Sequence, residues 1–169
     1  MPLYYSYWYR LSHLDLYLIW YSYDSDGVFI DSEGFVPSFH SMDALQTFAD
    51  KQGILLAEPD HILLDLDVLK RWLSAPKTGA VNCVEFLNSW NLFVDVARSI
   101  NNSAASNFLK SDKGGNKVYD KLFWGNNLPS VTPEGHSYVP LWTNDQITQV
   151  HEILANGLNM FEKSILVYS

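Results

Sequence analysis

The side chains best suited to chemistry are few and scattered. Cys83 is the one cysteine, and the five histidines are His13, His40, His61, His136 and His151. No two histidines stand four apart, and Cys83 has no thiol partner, so a structural zinc site is not expected. A histidine folded against Cys83 would make a nucleophile–base pair. Cys83, however, falls in the first turn of an expected amphipathic helix, where cysteine serves as a small packing residue. Asp65-Leu66-Asp67 offers two carboxylates for acid–base or metal work, yet sits where a strand gives way to a helix, the place of capping residues. Asp24-Ser25-Asp26-Gly27 and Asp31-Ser32-Glu33-Gly34 begin like calcium loops. Val28 and Phe29 then stand where an EF-hand needs an oxygen ligand and a glycine, so both read as acidic turns. Gly114-Gly115 lacks the Lys-Ser/Thr of a phosphate loop. The expectation is no catalytic residue, no metal and no cofactor.

The elements that must position these residues follow from periodicity. From Leu14 to Tyr21 the side chains alternate, Leu14, Leu16, Leu18 and Trp20 against Asp15, Tyr17, Ile19 and Tyr21, the pattern of a strand packed on one side. With Val28-Phe29-Ile30 and Phe35-Val36, the first thirty-six residues predict three or four antiparallel strands, with Asp26-Gly27 as a hairpin signal. Ser41 caps a helix that Gly53 ends. His61–Leu64 predicts a further strand, and Asp65 or Asp67 caps a short helix through Trp72 that stops before Pro76. Asn82 to Glu85 has the form of a capping box. It opens a helix with Val84, Leu87, Trp90, Phe93, Val94, Ala97 and Ile100 as its apolar stripe and Glu85, Asn88, Asn91, Asp95 and Arg98 opposite. Shorter helices lie on either side of Gly114-Gly115. Trp124 to Pro140 is a long proline-containing loop. Thr143 to Gln146 is a second capping box, opening a helix striped with Ile147, Val150, Leu154, Leu158, Phe161 and Ile165. The end, Ile165 to Tyr168, frays or adds a last strand. The expected class is α+β: one domain over 1–169, an N-terminal antiparallel sheet packed against C-terminal helices.

Composition narrows the partner. The chain has 169 residues, 47% hydrophobic and 18% charged, with a formal net charge of −8. Residues 1–67 hold eleven Asp and Glu against two Lys and Arg; residues 68–169 hold eight against nine. The acidity belongs to the N-terminal part. It disfavours nucleic acid and suits either solubility or the steering of a basic partner. The aromatic N-terminus would stack on bases only with a basic groove, which it lacks. No apolar run approaches a membrane span and the opening has no basic flank, so neither membrane nor secretory signal is expected. The lone cysteine suits a reducing cytoplasm.

With Leu16-Tyr17-Leu18-Ile19-Trp20, the turn Asp24-Ser25-Asp26-Gly27 and the segment Gly34-Phe35-Val36-Pro37-Ser38-Phe39 leading into the Ser41 helix, the chain resembles an immunity protein of a bacterial contact-dependent growth inhibition system. The resemblance implies tight binding of a cognate toxin C-terminal domain inside the cell, a basic nuclease blocked by covering its active site. The expected contact surface is Tyr23, Asp24, Asp26, Asp31 and Glu33. A second candidate surface is the loop carrying Trp124, Glu134, His136 and Tyr138, and the acids Glu58, Asp60, Asp65 and Asp67 form a reserve. Two other readings are a small hydrolase or ligand-binding enzyme with residues 124–140 as a lid over His136 and Glu134, and a structural scaffold.

Overall fold

The computed structural model describes residues 1–59, 61–77 and 80–169. Two long strands, β1 (Leu3–Leu11) and β2 (Leu14–Ser22), form an antiparallel hairpin with Tyr5 opposite Trp20, Tyr7 opposite Leu18 and Tyr9 opposite Leu16. β3 (Gly27–Val28) extends the sheet beside β2. β4 (Val36–Ser38) leaves it, and α1 (Met42–Lys51) follows. β5 (Leu63–Asp65) then returns to lie parallel to β1 at Trp8–Arg10, so the four-stranded sheet in the order β3-β2-β1-β5 is mixed rather than wholly antiparallel.

The helices follow as α2 (Leu66–Ser74), α3 (Cys83–Ile100), α4 (Ser103–Gly114), α5 (Asn116–Gly125) and α6 (Asn144–Ser164). β6 (Ile165–Val167) closes the chain by pairing parallel to β4. The α+β class with the sheet early and helices late is therefore correct. Among the described residues no helix is long and apolar enough to cross a membrane.

Both faces of the sheet are packed, where the alternation in β2 predicted one. Tyr9, Leu11, Leu16 and Leu18 join the main core with the helices, whereas Ile19 on the opposite face packs with Phe39, Leu45 and Ala49 under α1. Tyr and Ile at the intervening positions supply the second apolar surface, because an aromatic-rich strand has no polar face to give to water.

α3 runs through the middle of the helical layer. Trp90, Phe93 and Ala97 are buried as the stripe predicts, but so are Phe86, Leu92 and Val96, while Val84 is exposed. A helix wedged between a sheet and four other helices, α2, α4, α5 and α6, buries more than one stripe. Its N-cap is half a capping box: Asn82 accepts from the Glu85 N–H at 3.1 Å, while the Glu85 carboxylate accepts from the Asp65 N–H at 3.1 Å and ties the helix to β5. The capping box of α6 is complete, Thr143 with Gln146.

The turn between β1 and β2 is Ser12-His13, both in the left-handed region at φ 51° and 64°. L-residues avoid that region, and a two-residue hairpin of type I′ demands it at both positions. Asp67 compensates. Its buried carboxylate accepts from the Ser12 N–H at 2.7 Å and the His13 N–H at 2.8 Å. Asp65 is the cap of α2, accepting from the Asp67 N–H at 3.0 Å. Asp65-Leu66-Asp67 thus holds a helix end and a hairpin together.

Gly27 is not the turn glycine that Asp26-Gly27 predicts. It stands in β3 without positive φ, and a Cβ there would meet the Tyr21 ring at 2.5 Å and the Ser99 hydroxyl at 2.7 Å. Its neighbour Val28 donates its N–H to Ser99 Oγ at 3.0 Å. Close approach of the Tyr21 ring from β2 and of Ser99 from α3, and not turn geometry, is what requires glycine here.

Candidate functional site

The residues expected at an interface divide between two places. Tyr23, Asp24 and Asp26 form the exposed turn from β2 to β3, where the Ser22 hydroxyl donates to Asp26 Oδ1 at 2.9 Å. Glu33 is exposed in the next loop. Asp31 is structural: Oδ1 accepts from the N–H groups of Glu33 and Phe35, both at 2.9 Å, and Oδ2 from the Tyr168 hydroxyl at 2.8 Å. Desolvation raises its pKa, but these donors outweigh it and hold the carboxyl below its usual range. The carboxylate closes its own loop and anchors the C-terminus.

Glu134, His136 and Tyr138 lie on the irregular segment 126–143, whereas Trp124, expected at the start of that loop, is in the last turn of α5. Trp124, His136 and Tyr138 line one shallow depression of about 320 Å³, and Glu134 joins His136 in a neighbouring one of about 290 Å³. The segment is tied at both ends. Asn127 donates to the Tyr138 carbonyl at 2.9 Å and accepts from its N–H at 2.6 Å. Lys121 reaches the Leu141 carbonyl, bonds Gln146 at 2.9 Å and lies 5.2 Å over the Trp142 ring. Of the reserve acids, Asp65 and Asp67 are committed as described, Glu58 is exposed, and Asp60 lies outside the described residues.

A cleft that sequence reasoning missed opens beside the first of these places. It has a volume of about 540 Å³ and lies along the outer side of α3, between the β2–β3 turn and the α4–α5 corner. Its carboxylates are Asp26, Asp95 and Asp112, and its aromatic walls are Tyr7, Trp20 and Tyr119. Asn88, Asn91 and Asn116 supply amides, and Arg98 is the one base lining it among the described residues.

Two indoles brace it. Trp20 donates its Nε1–H to Asp95 Oδ2 at 2.9 Å, and Trp90 donates to Asp112 Oδ1 at 2.8 Å. The Tyr119 hydroxyl donates to Asn91 Oδ1 at 2.8 Å. Burial pushes the Asp95 carboxyl up to about 6. Repulsion from Asp26 adds to the rise, and the Trp20 hydrogen bond and the Arg98 charge oppose it. Tyr7 also has its hydroxyl pKa raised, first by burial and then by Asp95 and Glu85.

Tyr7, Trp20 and Asn88 also line a second, larger hollow of about 830 Å³ at the β1 edge. There Trp8 stacks on Tyr17 with ring centroids 6.2 Å apart, and the buried Trp8 Nε1 has no acceptor in hydrogen-bonding geometry. Asp15 lies near enough to feel it. That influence is the last of the causes lowering the Asp15 pKa, behind the dominant hydrogen bond from Arg10.

Neither a protein-family model nor a curated protein sequence matches the chain. Among solved structures it is similar to the C-terminal domain of SatS, determined in complex with bromine. The TM-score is 0.61 and the identity 13%, over 98% of this chain and 94% of that one. The likeness is one of fold. It covers nearly the whole of both chains, and at this identity it carries no site residue from one to the other.

The cleft gathers three carboxylates, three aromatic rings and three amides. Among the described residues no three His, Cys, Asp or Glu side chains come together as metal ligands. Cys83 lies away from it, half-buried at the start of α3, its thiol pushed up by burial. What the cleft offers is negative charge, amides and aromatic faces gathered from several elements around α3, the materials of recognition.

Proposed function

We propose that this chain is a binding protein of the immunity type, which captures a basic toxin domain inside the producing cell and blocks it by covering its active site. The observation that carries this reading is the double position of Asp26. It belongs to the exposed acidic turn with Tyr23 and Asp24, and it also lines the cleft that holds Asp95, Trp20 and Tyr119. Long-range attraction and aromatic anchoring therefore lie on one continuous surface. Exposed carboxylates accelerate encounter with a basic partner, and buried aromatic contacts set how long it stays. A nuclease is the natural partner, since the cationic groups that hold its phosphate substrate are the groups an acidic inhibitor would engage.

The test is protection. A candidate toxin domain, sought among the genes adjacent to that of this chain, is induced in cells with and without the chain. The reading predicts that growth is restored by the wild type and lost when Tyr23, Asp24 and Asp26 are replaced together by Ser, Asn and Asn. Continued killing by that toxin in cells making folded wild-type protein would contradict it.

A further inference from the structure

We propose that the cleft along α3 is a socket for one guanidinium group, the arginine side chain of a protein partner. The identity of the partner rests on the function proposed above; the chemistry of the socket does not. Asp95 and Asp112 each give one oxygen to an indole N–H, from Trp20 and Trp90. Each is thereby fixed in orientation with its other oxygen left to accept. Asp26, exposed on the β2–β3 turn, is a third carboxylate lining the cleft. Among the described residues, Arg98 makes no ion pair within 4.0 Å with any of the three. Its charge lowers the Asp95 pKa without cancelling the effect of burial. The cleft is thus a partly desolvated anionic site whose one lining base among the described residues, Arg98, is not paired to its carboxylates, and an entering cation that does pair relieves that cost.

The ligand class follows from the walls. A metal ion needs converging ligands, which the described residues do not form here. Tyr7, Trp20 and Tyr119 offer flat faces and the carboxylates offer in-plane acceptors. A planar guanidinium stacks on the first while donating to the second, and is more weakly hydrated than an ammonium. The mostly buried Tyr7 has no side-chain hydrogen-bond partner among the described residues and lines both hollows, so its hydroxyl is available to the incoming group. A volume of about 540 Å³ holds such a side chain with room for the backbone that carries it.

Binding should also read pH. The ionised form of Asp95 is the one that attracts the cation, so affinity is full well above pH 6 and falls as pH drops through it. The groups facing Asp95 are Asp26 from the β2–β3 turn, Arg98 on its own helix, Asp112 from α4, Tyr119 from α5 and Tyr7 from β1. Both tyrosines have raised pKa values and stay neutral throughout that range.

The experiment is a titration of the free, full-length protein with N-acetyl-arginine methylamide, followed by the indole N–H resonances of its six tryptophans. The citrulline and lysine counterparts serve as comparators. The expected result is a saturable shift of the Trp20 and Trp90 signals with arginine, a shift at least fivefold weaker in affinity with lysine, and none with citrulline. Affinity should drop roughly tenfold from pH 7.5 to pH 5, following the ionised fraction of Asp95. Asp95→Asn, and separately Asp112→Asn, should each weaken binding at least fivefold with the dispersed spectrum of a folded protein retained. Absence of a saturable shift, equal binding of citrulline or lysine, or unchanged binding in both variants would overturn the socket. No toxin enters this test. A protein that binds arginine but protects against no toxin keeps the socket and loses the immunity role, and the reverse outcome removes only the socket.

Discussion

Trp20 and Asp95, seventy-five positions apart, meet through an indole N–H to carboxylate hydrogen bond of 2.9 Å that joins the sheet to the central helix. The bond satisfies a donor that β2 would otherwise bury, and it draws a carboxylate into a partly desolvated wall. The wall of the proposed site is therefore also a seam of the fold.

That seam has a pH signature. The folded state holds the Asp95 proton up to about pH 6, whereas the unfolded chain releases it near the ordinary carboxylate value. Between those values the native state binds more protons, so this group's contribution to stability falls as pH rises through that window. Asp95→Asn keeps an acceptor for Trp20 and removes the charge. The variant should gain on the wild type on the order of 1 kcal/mol between pH 4 and pH 7.5 once solvent screening is allowed for. Chemical denaturation of both proteins across that range checks it. A constant difference would place Asp95 in water.

The hairpin clamp is the next prediction. Asp67→Ala removes the acceptor of two main-chain N–H groups in a turn whose residues are held at positive φ. The loss should be about 2–4 kcal/mol, the range for charge-assisted bonds to partly buried donors. His13→Gly, which relieves the left-handed conformation, should return about 1 kcal/mol in that background. Unfolding midpoints of the single and double variants give the answer, and an unchanged midpoint for Asp67→Ala would remove the clamp.

Much of this architecture is legible in the sequence, and the clamp shows where legibility ends. Caps at Ser41, Asn82 and Thr143 and the stripe of α6 are local signals, written within a few residues. Ser12-His13 carries no glycine or asparagine, so turn chemistry is silent; the residue that permits the turn lies more than fifty positions away. The same holds for the site. Asp26 is visible as a turn acid. Asp95 reads as a residue on the polar side of α3, because periodicity separates polar from apolar faces but does not tell which polar face a neighbouring element will roof over. Trp20, Asp112 and Tyr119 join it only through the packing of β2, α4 and α5.

Trp90 tests the helical layer. It is fully buried on α3, edge-on to Tyr119 with ring centroids 5.3 Å apart, and bonded to Asp112. Trp90→Ala should cost about 3–5 kcal/mol, combining lost burial with an unfilled cavity. Chemical denaturation should show this as an earlier midpoint with cooperativity retained. A loss below about 1 kcal/mol would mean that the core closes over the gap.

The account as a whole turns on whether the acidic turn and cleft guide a basic partner. The direct measurement is surface-binding kinetics against the toxin domain at low and high ionic strength. Wild type is compared with the triple variant Asp24→Asn, Asp26→Asn, Glu33→Gln; Asp31 is left intact because it holds its own loop and Tyr168. Steering predicts association slowed about tenfold at low salt. The difference should shrink as the screening length falls to roughly 10 Å near 0.1 M salt. Dissociation should change less, since the aromatic anchors remain. Equal association rates for the two proteins at both salt concentrations would contradict the account.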